Sequence, residues 1–147
     1  MELGKIVHQK KYKCIINTLI NSACKSEVSR KHSACVMDCS NKKVMSIGIN
    51  KYHYNKKYNT ACTIHAELDA LVKTNSKHIN GFNIFIIRID SSYNLKNSRP
   101  CNCCIDKLQQ YGINKAYYST ENGNIAVEYV DYMPKLHFSS GYRGHKI

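Results

Sequence analysis

The most constraining feature of the chain is the seven-residue run Asn83-Ile84-Phe85-Ile86-Ile87-Arg88-Ile89, in which five residues are large and apolar. A run of this length, rich in β-branched side chains, predicts a strand that is covered on both faces. Gly81 precedes the run and Ser91-Ser92 follow it, so turn signals bound the strand. A sheet built around such a strand needs a layer on each face, which predicts an α/β domain.

The other elements follow from hydrophobic periodicity and turn residues. Ile16, Leu19 and Ile20 recur at helical spacing near the start of the chain, and Asn122-Gly123 is a strong hairpin signal near its end. This order of elements predicts a mixed sheet with helices packed on its faces. The predicted elements are a helix over about Ile6–Glu27, strands Ser33–Asp38 and Val44–Asn50, an exposed loop Lys51–Thr60, a helix Ile64–Thr74 capped by Thr63, strand Asn83–Ile89, a helix from Pro100 to Tyr111, and strands Lys115–Thr120 and Ile125–Val130.

The chain has 147 residues, of which 43% are hydrophobic and 22% charged, so it is neither collagen-like nor wholly disordered. We expect one domain covering residues 1–132, followed by an irregular C-terminal tail over residues 133–147. Its apolar stretches are far shorter than the roughly 20 residues of a membrane-spanning helix, and its first residues lack a signal-peptide pattern. The expected location is intracellular and cytoplasmic, with no membrane partner.

The formal net charge of +12 leaves two interpretations open. One is a polyanionic partner or a phosphorylated substrate. The other is a coding sequence of low G+C content, which raises Lys together with Asn, Ile and Tyr. The basic residues are 18 lysines and 4 arginines, and they are scattered, as in Lys42-Lys43 and Lys56-Lys57. Proteins that track phosphates more often concentrate Arg, so a dedicated nucleic-acid surface is the less favoured interpretation.

Eight cysteines are many for a chain of this length, and in an intracellular protein they indicate metal ligands rather than disulfides. Only one local cluster, Cys101-Asn102-Cys103-Cys104, has a spacing that suits metal binding. The other five stand singly and are predicted to behave as small buried hydrophobes: Cys14, Cys24, Cys35, Cys39 and Cys62.

Two short motifs lie at the starts of two predicted helices, His65-Ala66-Glu67 and Pro100-Cys101-Asn102-Cys103-Cys104. Cys101 and Cys104 are three residues apart, so their sulfurs lie on one side of a helical turn and can share a metal ion. Cys103 offers a rival pairing with Cys101, and Cys62, three residues before His65, is a weaker candidate ligand. One imidazole and two thiolates leave the fourth tetrahedral position open, as a catalytic zinc requires.

Glu67, two residues beyond His65, is predicted to carry protons beside the metal rather than to bind it. The paired motifs resemble the signature of the zinc-dependent cytidine and deoxycytidylate deaminase superfamily, His-x-Glu followed by Pro-Cys-x-x-Cys. The resemblance covers about residues 5 to 130 and implies a three-layer α/β/α fold around a five-stranded mixed sheet. It implies Zn²⁺ as cofactor, with His65, Cys101 and Cys104 as metal ligands and Glu67 as the catalytic acid and base.

The same resemblance implies a substrate class. Gly48-Ile49-Asn50 resembles the family's Gly-x-Asn, which implies that Asn50 contacts the sugar of the substrate. The implied reaction converts cytosine to uracil, with release of ammonia, in a free nucleoside or nucleotide such as cytidine, deoxycytidine, CMP or dCMP. This activity belongs to pyrimidine metabolism and nucleotide salvage. The hairpin signal at Asn122-Gly123 resembles free cytidine deaminases, whereas Tyr52 stands where these enzymes commonly have Glu.

Two alternatives come from other classes of protein. A polynucleotide-editing deaminase acting on RNA or single-stranded DNA would use the basic loop, where His53 and its neighbours Tyr52, Tyr54 and Tyr58 are candidates for stacking on a base. A non-catalytic zinc-binding relative would not need a carboxylate at Glu67, so its presence argues against that alternative. The resemblance also implies a homo-oligomer, since relatives are often oligomers that complete each pocket from a neighbouring subunit.

Arg99 and two further histidines are also candidates. Arg99 directly precedes the cysteine helix and is a candidate for receiving a substrate phosphate. His32 and His137 are predicted to be surface or hydrogen-bonded residues rather than ligands.

Overall fold

The computed structural model describes residues 3–55, 60–74 and 78–136. The strands in these residues are β1 Lys5–Val7, β2 Lys31–Met37, β3 Val44–Ile49, β4 Lys51–Asn55, β5 Thr60–Ile64, β6 Asn83–Ile89, β7 Leu95–Lys96, β8 Lys115–Ser119 and β9 Ile125–Tyr129. The α-helices are α1 Lys13–Ala23, α2 Ala66–Lys73 and α3 Asn102–Gln110, and short 3₁₀ turns cover Gln9–Tyr12 and Val130–Tyr132.

One mixed sheet organises the molecule, with strand order β1-β9-β8-β6-β2-β3 and with β7 paired to β6. The β6–β8 pair is parallel, and the other pairs of this sheet are antiparallel. The five predicted strands correspond to β2, β3, β6, β8 and β9, so the expected mixed sheet is confirmed. Two short strands, β1 and β7, extend it beyond the expected five.

Each face of the sheet carries its own hydrophobic core. Side chains alternate along β6, so Phe85 and Ile87 pack with α1 on one face, whereas Ile84 and Ile86 pack with α2 and α3 on the other. This double covering explains why the run is almost continuously apolar. The three-layer α/β/α arrangement is therefore confirmed.

The predicted first helix, Ile6–Glu27, is wrong at both ends. Lys5–Val7 instead pairs with Val127–Ile125 of β9 at the edge of the sheet, where the strand gains backbone hydrogen bonds. The helix begins at Lys13 and ends at Ala23. The apolar residues at helical spacing, Ile16, Leu19 and Ala23, all lie within these bounds.

The predicted loop Lys51–Thr60 is wrong for Lys51–Asn55 and Thr60, and residues 56–59 lie outside the described part of the chain. Lys51–Asn55 and Thr60–Ile64 pair antiparallel as the two-stranded sheet β4–β5, in the register Lys51↔Ile64 and Tyr52↔Thr63. Tyr and Thr are β-prone residues, and the interspersed Lys and Asn concealed that preference. The side chains of Tyr54 and Cys62, as well as the residues Tyr58 and His137, lie outside the described part of the chain.

The prediction that the single cysteines are buried is confirmed for Cys35 and is wrong for Cys14, Cys24 and Cys39, which are exposed. Their positions on helix and turn surfaces were not visible from a residue type that is usually buried.

The two motif-bearing helices begin two residues later than predicted. The N-cap of α2 is His65, not the predicted Thr63. The helix α3 begins at Asn102, with Cys101 as its N-cap, and not at Pro100. Each helix packs on the sheet face that carries Ile84 and Ile86. Because the helices begin at Ala66 and Asn102, His65 and Cys101 occupy their N-cap positions.

Gly48 sets how closely α2 approaches β3. A Cβ atom at this position would lie 2.3 Å from the backbone nitrogen of Ala70 and 2.6 Å from the carbonyl oxygen of Ala66. Backbone atoms cannot move aside cheaply, so only glycine permits this contact. The glycine of the Gly-x-Asn sequence is therefore a packing residue that places α2 against the sheet.

The folded part of the chain continues past the predicted domain boundary at residue 132. Met133 is buried in the core formed with α2 and α3, and the carbonyl oxygen of Pro134 accepts a hydrogen bond from Arg99. Among the residues that the structure describes, no helix has the length and apolar character needed to cross a bilayer.

Candidate functional site

The caps of α2 and α3 bring together one imidazole and two thiols. The donor atoms of His65, Cys101 and Cys104 all lie within 4.8 Å of one another. The His65 Nδ1 atom is 3.1 Å from the Cys104 sulfur and 3.7 Å from the Cys101 sulfur. One nitrogen and two sulfur donors, converging on a common point and buried or half-buried, fit a tetrahedral zinc ion with one open position.

Local backbone geometry explains the convergence. His65 and Cys101 both have extended conformations, with ψ values of 150° and 169°, and their carbonyl oxygens accept the N–H groups of Asp69 and Ile105. Each side chain therefore projects past a helix N-terminus, where the helix dipole stabilises negative charge. A pair of helix N-termini favours thiolate sulfurs, which are the form that binds zinc.

Hydrogen bonds among the three donors shift their pKa values in opposite directions. The hydrogen bond from the Cys104 thiol lowers the pKa of Cys101 to about 3, against the opposing effect of burial and with help from His65. The same bond to Cys101, together with burial, raises the pKa of Cys104 well above its ordinary value. The hydrogen bond with Cys101 also raises the pKa of His65, although burial opposes it. A metal ion would displace the proton held by Cys104, since zinc binds thiolates.

Glu67 lies beside this cluster, in the first turn of α2, and is only 5% exposed. Its carboxylate interacts with the Cys104 thiol, and its charge also acts on the His32 imidazole. Among the described side chains, the group that could hold a metal contains His65, Cys101 and Cys104 and does not include Glu67. This placement leaves the carboxylate free to exchange protons next to the metal position.

Cys103 lies outside the three-residue group, on a different side of the first turn of α3. Its side chain is partly exposed, whereas Cys101 and Cys104 are buried. The geometry therefore matches the preference for Cys104 over Cys103 as the partner of Cys101.

Asn50 follows β3 directly, and its amide is held by the protein itself. The Oδ1 atom accepts hydrogen bonds from the Ser26 hydroxyl at 2.7 Å and from the His32 backbone N–H at 2.9 Å. The Nδ2 group donates to the carbonyl oxygen of Arg30 at 2.6 Å. The structure thus places Asn50 as a junction between the end of β3 and the start of β2, and its predicted contact with a sugar stays a prediction.

His32 and Arg88 are neighbours of the cluster that the sequence did not single out as site residues. They lie directly opposite each other on β2 and β6. The charges of Glu67, Arg88 and His65 all act on the His32 imidazole, and burial lowers its pKa. The signal that could have found Arg88 is a charged residue inside a strand that is covered on both faces.

The Arg99 guanidinium forms a buried ion pair with the Glu128 carboxylate. Its Nε atom lies 2.8 Å from Glu128 Oε2, and the two side chains are only 7% and 10% exposed. Its Nη2 group also donates to Glu128 and to the Pro134 carbonyl oxygen. Because this guanidinium is already neutralised and buried, the geometry does not support Arg99 as a phosphate-binding residue.

The segment leading to Cys101 is anchored to the sheet by two buried serines. The Ser98 hydroxyl donates to the Ile86 carbonyl oxygen at 2.8 Å and lies 2.8 Å from the Ser119 hydroxyl. The Ser119 N–H in turn donates to the Ser98 hydroxyl at 2.9 Å. These bonds fix the chain three residues before Cys101, with Pro100 restricting the backbone in between.

An α/β/α domain that presents an imidazole, two thiols and a buried carboxylate at two helix N-termini is characteristic of a zinc-dependent hydrolytic enzyme. A family model for the cytidine and deoxycytidylate deaminase zinc-binding region matches residues 9–120. The chain therefore belongs to this family and is a zinc-dependent deaminase of the cytidine/deoxycytidylate type, which confirms both the resemblance and the zinc cofactor.

Among solved structures, the chain is similar to the dCMP deaminase from the cyanophage S-TIM5 in apo form, with 24% sequence identity and a TM-score of 0.49. The similarity covers 72% of this chain and 82% of that chain. A search of curated protein sequences finds no match.

Proposed function

We propose that the protein hydrolytically deaminates the cytosine base of a free nucleoside or nucleotide, with His65, Cys101 and Cys104 holding the zinc ion. The observation that carries this proposal is the convergence of the three donor atoms within 4.8 Å beside the buried carboxylate of Glu67. A purely structural zinc site has four protein ligands, whereas this donor set leaves one position for water or substrate. Membership of the deaminase family supports the same reaction.

Glu67 carries the protons of the proposed reaction. Bound zinc supplies the Lewis acidity that lowers the pKa of water to about 7. The Glu67 carboxylate accepts a proton from the attacking water and delivers protons to the ring nitrogen and to the leaving amino group. The oxygen of water replaces the amino nitrogen at C4, so cytosine and water give uracil and ammonia.

Asn50 is proposed to act at the sugar end of the site. It lies against His32, whose imidazole is influenced by the charges of both Glu67 and His65. Since its amide already bonds Ser26, His32 and Arg30, we expect it to hold the end of β3 in position for the sugar.

The domain and location of the enzyme are part of the proposal. A single deaminase domain over residues 1–132 is proposed, and the burial of Met133 supports moving its boundary past that residue. An intracellular, cytoplasmic location is also proposed, as expected for a chain whose cysteines include candidate metal ligands.

The experiment is product analysis by chromatography, with zinc-loaded protein incubated with cytidine, deoxycytidine, CMP and dCMP. We expect uracil-containing product and ammonia from at least one of them. Glu67→Gln keeps the shape of the side chain but removes its base, so turnover should fall by about 10²–10⁴-fold while zinc content is unchanged. Undiminished turnover in Glu67→Gln, or no turnover from zinc-loaded folded wild type, would contradict the proposal.

A polynucleotide substrate is the second candidate, and one observation favours it. The β4–β5 hairpin joins Asn50 to His65, and its Tyr52 is 54% exposed, in a chain with a net charge of +12. Short single-stranded RNA and DNA therefore belong in the same assay. Turnover confined to these oligonucleotides, with binding that weakens steeply as salt rises, would replace the small-molecule proposal.

A further inference from the structure

A row of side chains on one sheet face leads from the core to the edge of the candidate site. Ala34 on β2 and Ile86 on β6 are opposite each other and belong to the core beneath α2 and α3. Because side chains alternate along a strand, the next positions on the same face are His32 and Arg88, which are again directly opposite. The row thus ends in two polar side chains on the face that carries the metal cluster.

His32 and Arg88, at the end of this row, lie near the candidate metal cluster. The Ile86 carbonyl oxygen, two residues before Arg88, accepts the Ser98 hydroxyl, which anchors the segment leading to Cys101. The backbone N–H of Arg88 donates to the Ser119 hydroxyl of the same anchor at 3.1 Å. On the other strand, His32 bonds Asn50 through its backbone N–H. Arg88 therefore lies at the same end of the sheet as Cys101 and Asn50.

The charge of Arg88 is not neutralised within the described chain. Among the described residues, no ion pair includes it, and its guanidinium donates one hydrogen bond, to the Asn97 carbonyl oxygen at 3.5 Å. The contrast with Arg99, which is buried against Glu128, is direct. A half-buried guanidinium without a carboxylate partner, next to a binding site, is suited to an anionic ligand.

We propose that Arg88 binds the 5′-phosphate of the substrate, so that the enzyme acts on a nucleoside monophosphate in preference to the free nucleoside. This inference rests on the proposed function. A guanidinium fork pairs with two oxygens of one phosphate, and a terminal monoester carries up to two negative charges at neutral pH. The internal phosphodiester of a polynucleotide carries one charge and is the alternative source of the same chemistry.

The test compares each monophosphate with its nucleoside in zinc-loaded wild type and three variants. Arg88→Gln removes the charge, Arg88→Lys keeps the charge without the fork, and Lys115→Gln removes a charge from the same sheet, at β8, on the opposite face. We expect Arg88→Gln to lower kcat/KM for CMP and dCMP by about 10- to 100-fold and to leave cytidine and deoxycytidine unchanged. Arg88→Lys should give a smaller loss, and Lys115→Gln none.

A binding measurement separates this inference from the proposed function. Calorimetry with UMP and uridine, and with dUMP and deoxyuridine, reports phosphate recognition without any turnover. Arg88-dependent preference for the monophosphates supports the inference even if no substrate is deaminated, an outcome that would defeat the proposed function alone. Three outcomes would overturn the inference. Arg88→Gln could lower kcat/KM equally for nucleosides and monophosphates, or wild type could bind both equally. The effect of Arg88 could also be confined to oligonucleotides.

Discussion

Two buried serine hydroxyls anchor the segment that leads to Cys101, a proposed zinc ligand. Ser98 and Ser119 are almost completely buried, and their mutual bonds link the segment before Cys101 to β6 and β8. Ser33 is an equally buried serine on β2, and its hydroxyl donates to the Leu19 carbonyl oxygen of α1 on the other face. The two sites have similar chemistry but different distances from the cluster, which makes Ser33 a matched control.

Ser98→Ala should destabilise the fold by about 1–3 kcal/mol, because it leaves buried partners unsatisfied, and should weaken zinc binding by about tenfold. Ser33→Ala should cost similar stability and leave zinc affinity unchanged. Urea unfolding gives the first quantity, and competition with a chromophoric zinc chelator gives the second. Equal zinc affinities in the two variants would show that Ser98 does not position Cys101.

At the scale of elements, α2 is fastened to β3 and β4 through one carboxylate. Asp69 is buried, accepts the Ile49 N–H at 3.0 Å and pairs with Lys51 and Lys73 at 2.9 and 2.7 Å. Burial raises the pKa of Asp69, but the hydrogen bonds from Lys73, Lys51 and Ile49 outweigh it, so the pKa lies below its ordinary value of 3.8. The helix that carries His65 and Glu67 is thereby tied to both strands next to Asn50.

Because the Asp69 pKa is lower in the folded state, its contribution is fully present above the unfolded value of 3.8 and is lost as pH falls through the folded value. Asp69→Asn should therefore cost about 1–3 kcal/mol at pH 7, and its difference from wild type should shrink at pH 3. Unfolding free energies at the two pH values measure this. Asp106→Asn, which breaks an exposed pair with Lys135, is the control and should cost under about 1 kcal/mol. A gap for Asp69→Asn that does not change with pH would count against this role.

Elements with one clear period were predictable from sequence, and those with mixed signals were not. The strand Asn83–Ile89 was predicted with its observed bounds because both faces are buried and every position is constrained. The β4–β5 hairpin was missed because Lys and Asn interrupt its β-prone Tyr and Thr residues. The pairing of Cys101 with Cys104 followed from their spacing, and the convergence of His65 with them followed from the resemblance to the deaminase signature. The place of Arg88 depends on strand register, which a sequence does not display.

At the scale of the whole molecule, the proposed metal site connects α2 and α3, which also share one hydrophobic core. His65 comes from one helix cap, and both cysteines come from the other. A ligand that binds only the folded protein stabilises it in proportion to the logarithm of its concentration. Zinc binding should therefore stabilise the packing of α2 and α3 against the sheet and raise the melting temperature.

Raising free zinc to about 100 times its dissociation constant should raise Tm by on the order of 5–10 °C. Cys103→Ser should keep this shift because its sulfur lies outside the cluster, and Cys104→Ser should abolish it. Thermal unfolding at buffered zinc concentrations, with and without a chelator, makes the comparison. The reverse pattern in the two variants would reassign the ligand set.

The base of the β4–β5 hairpin makes the positions of Asn50 and His65 independent of the length of the hairpin. Pairing of Lys51 with Ile64 holds Asn50 and His65 at fixed positions on either side, whatever lies farther along the hairpin. Insertions, deletions and substitutions beyond that base can alter the reach of the arm without moving the reacting centre. Changes in length or sequence beyond this base are therefore expected to leave the geometry of the candidate site intact.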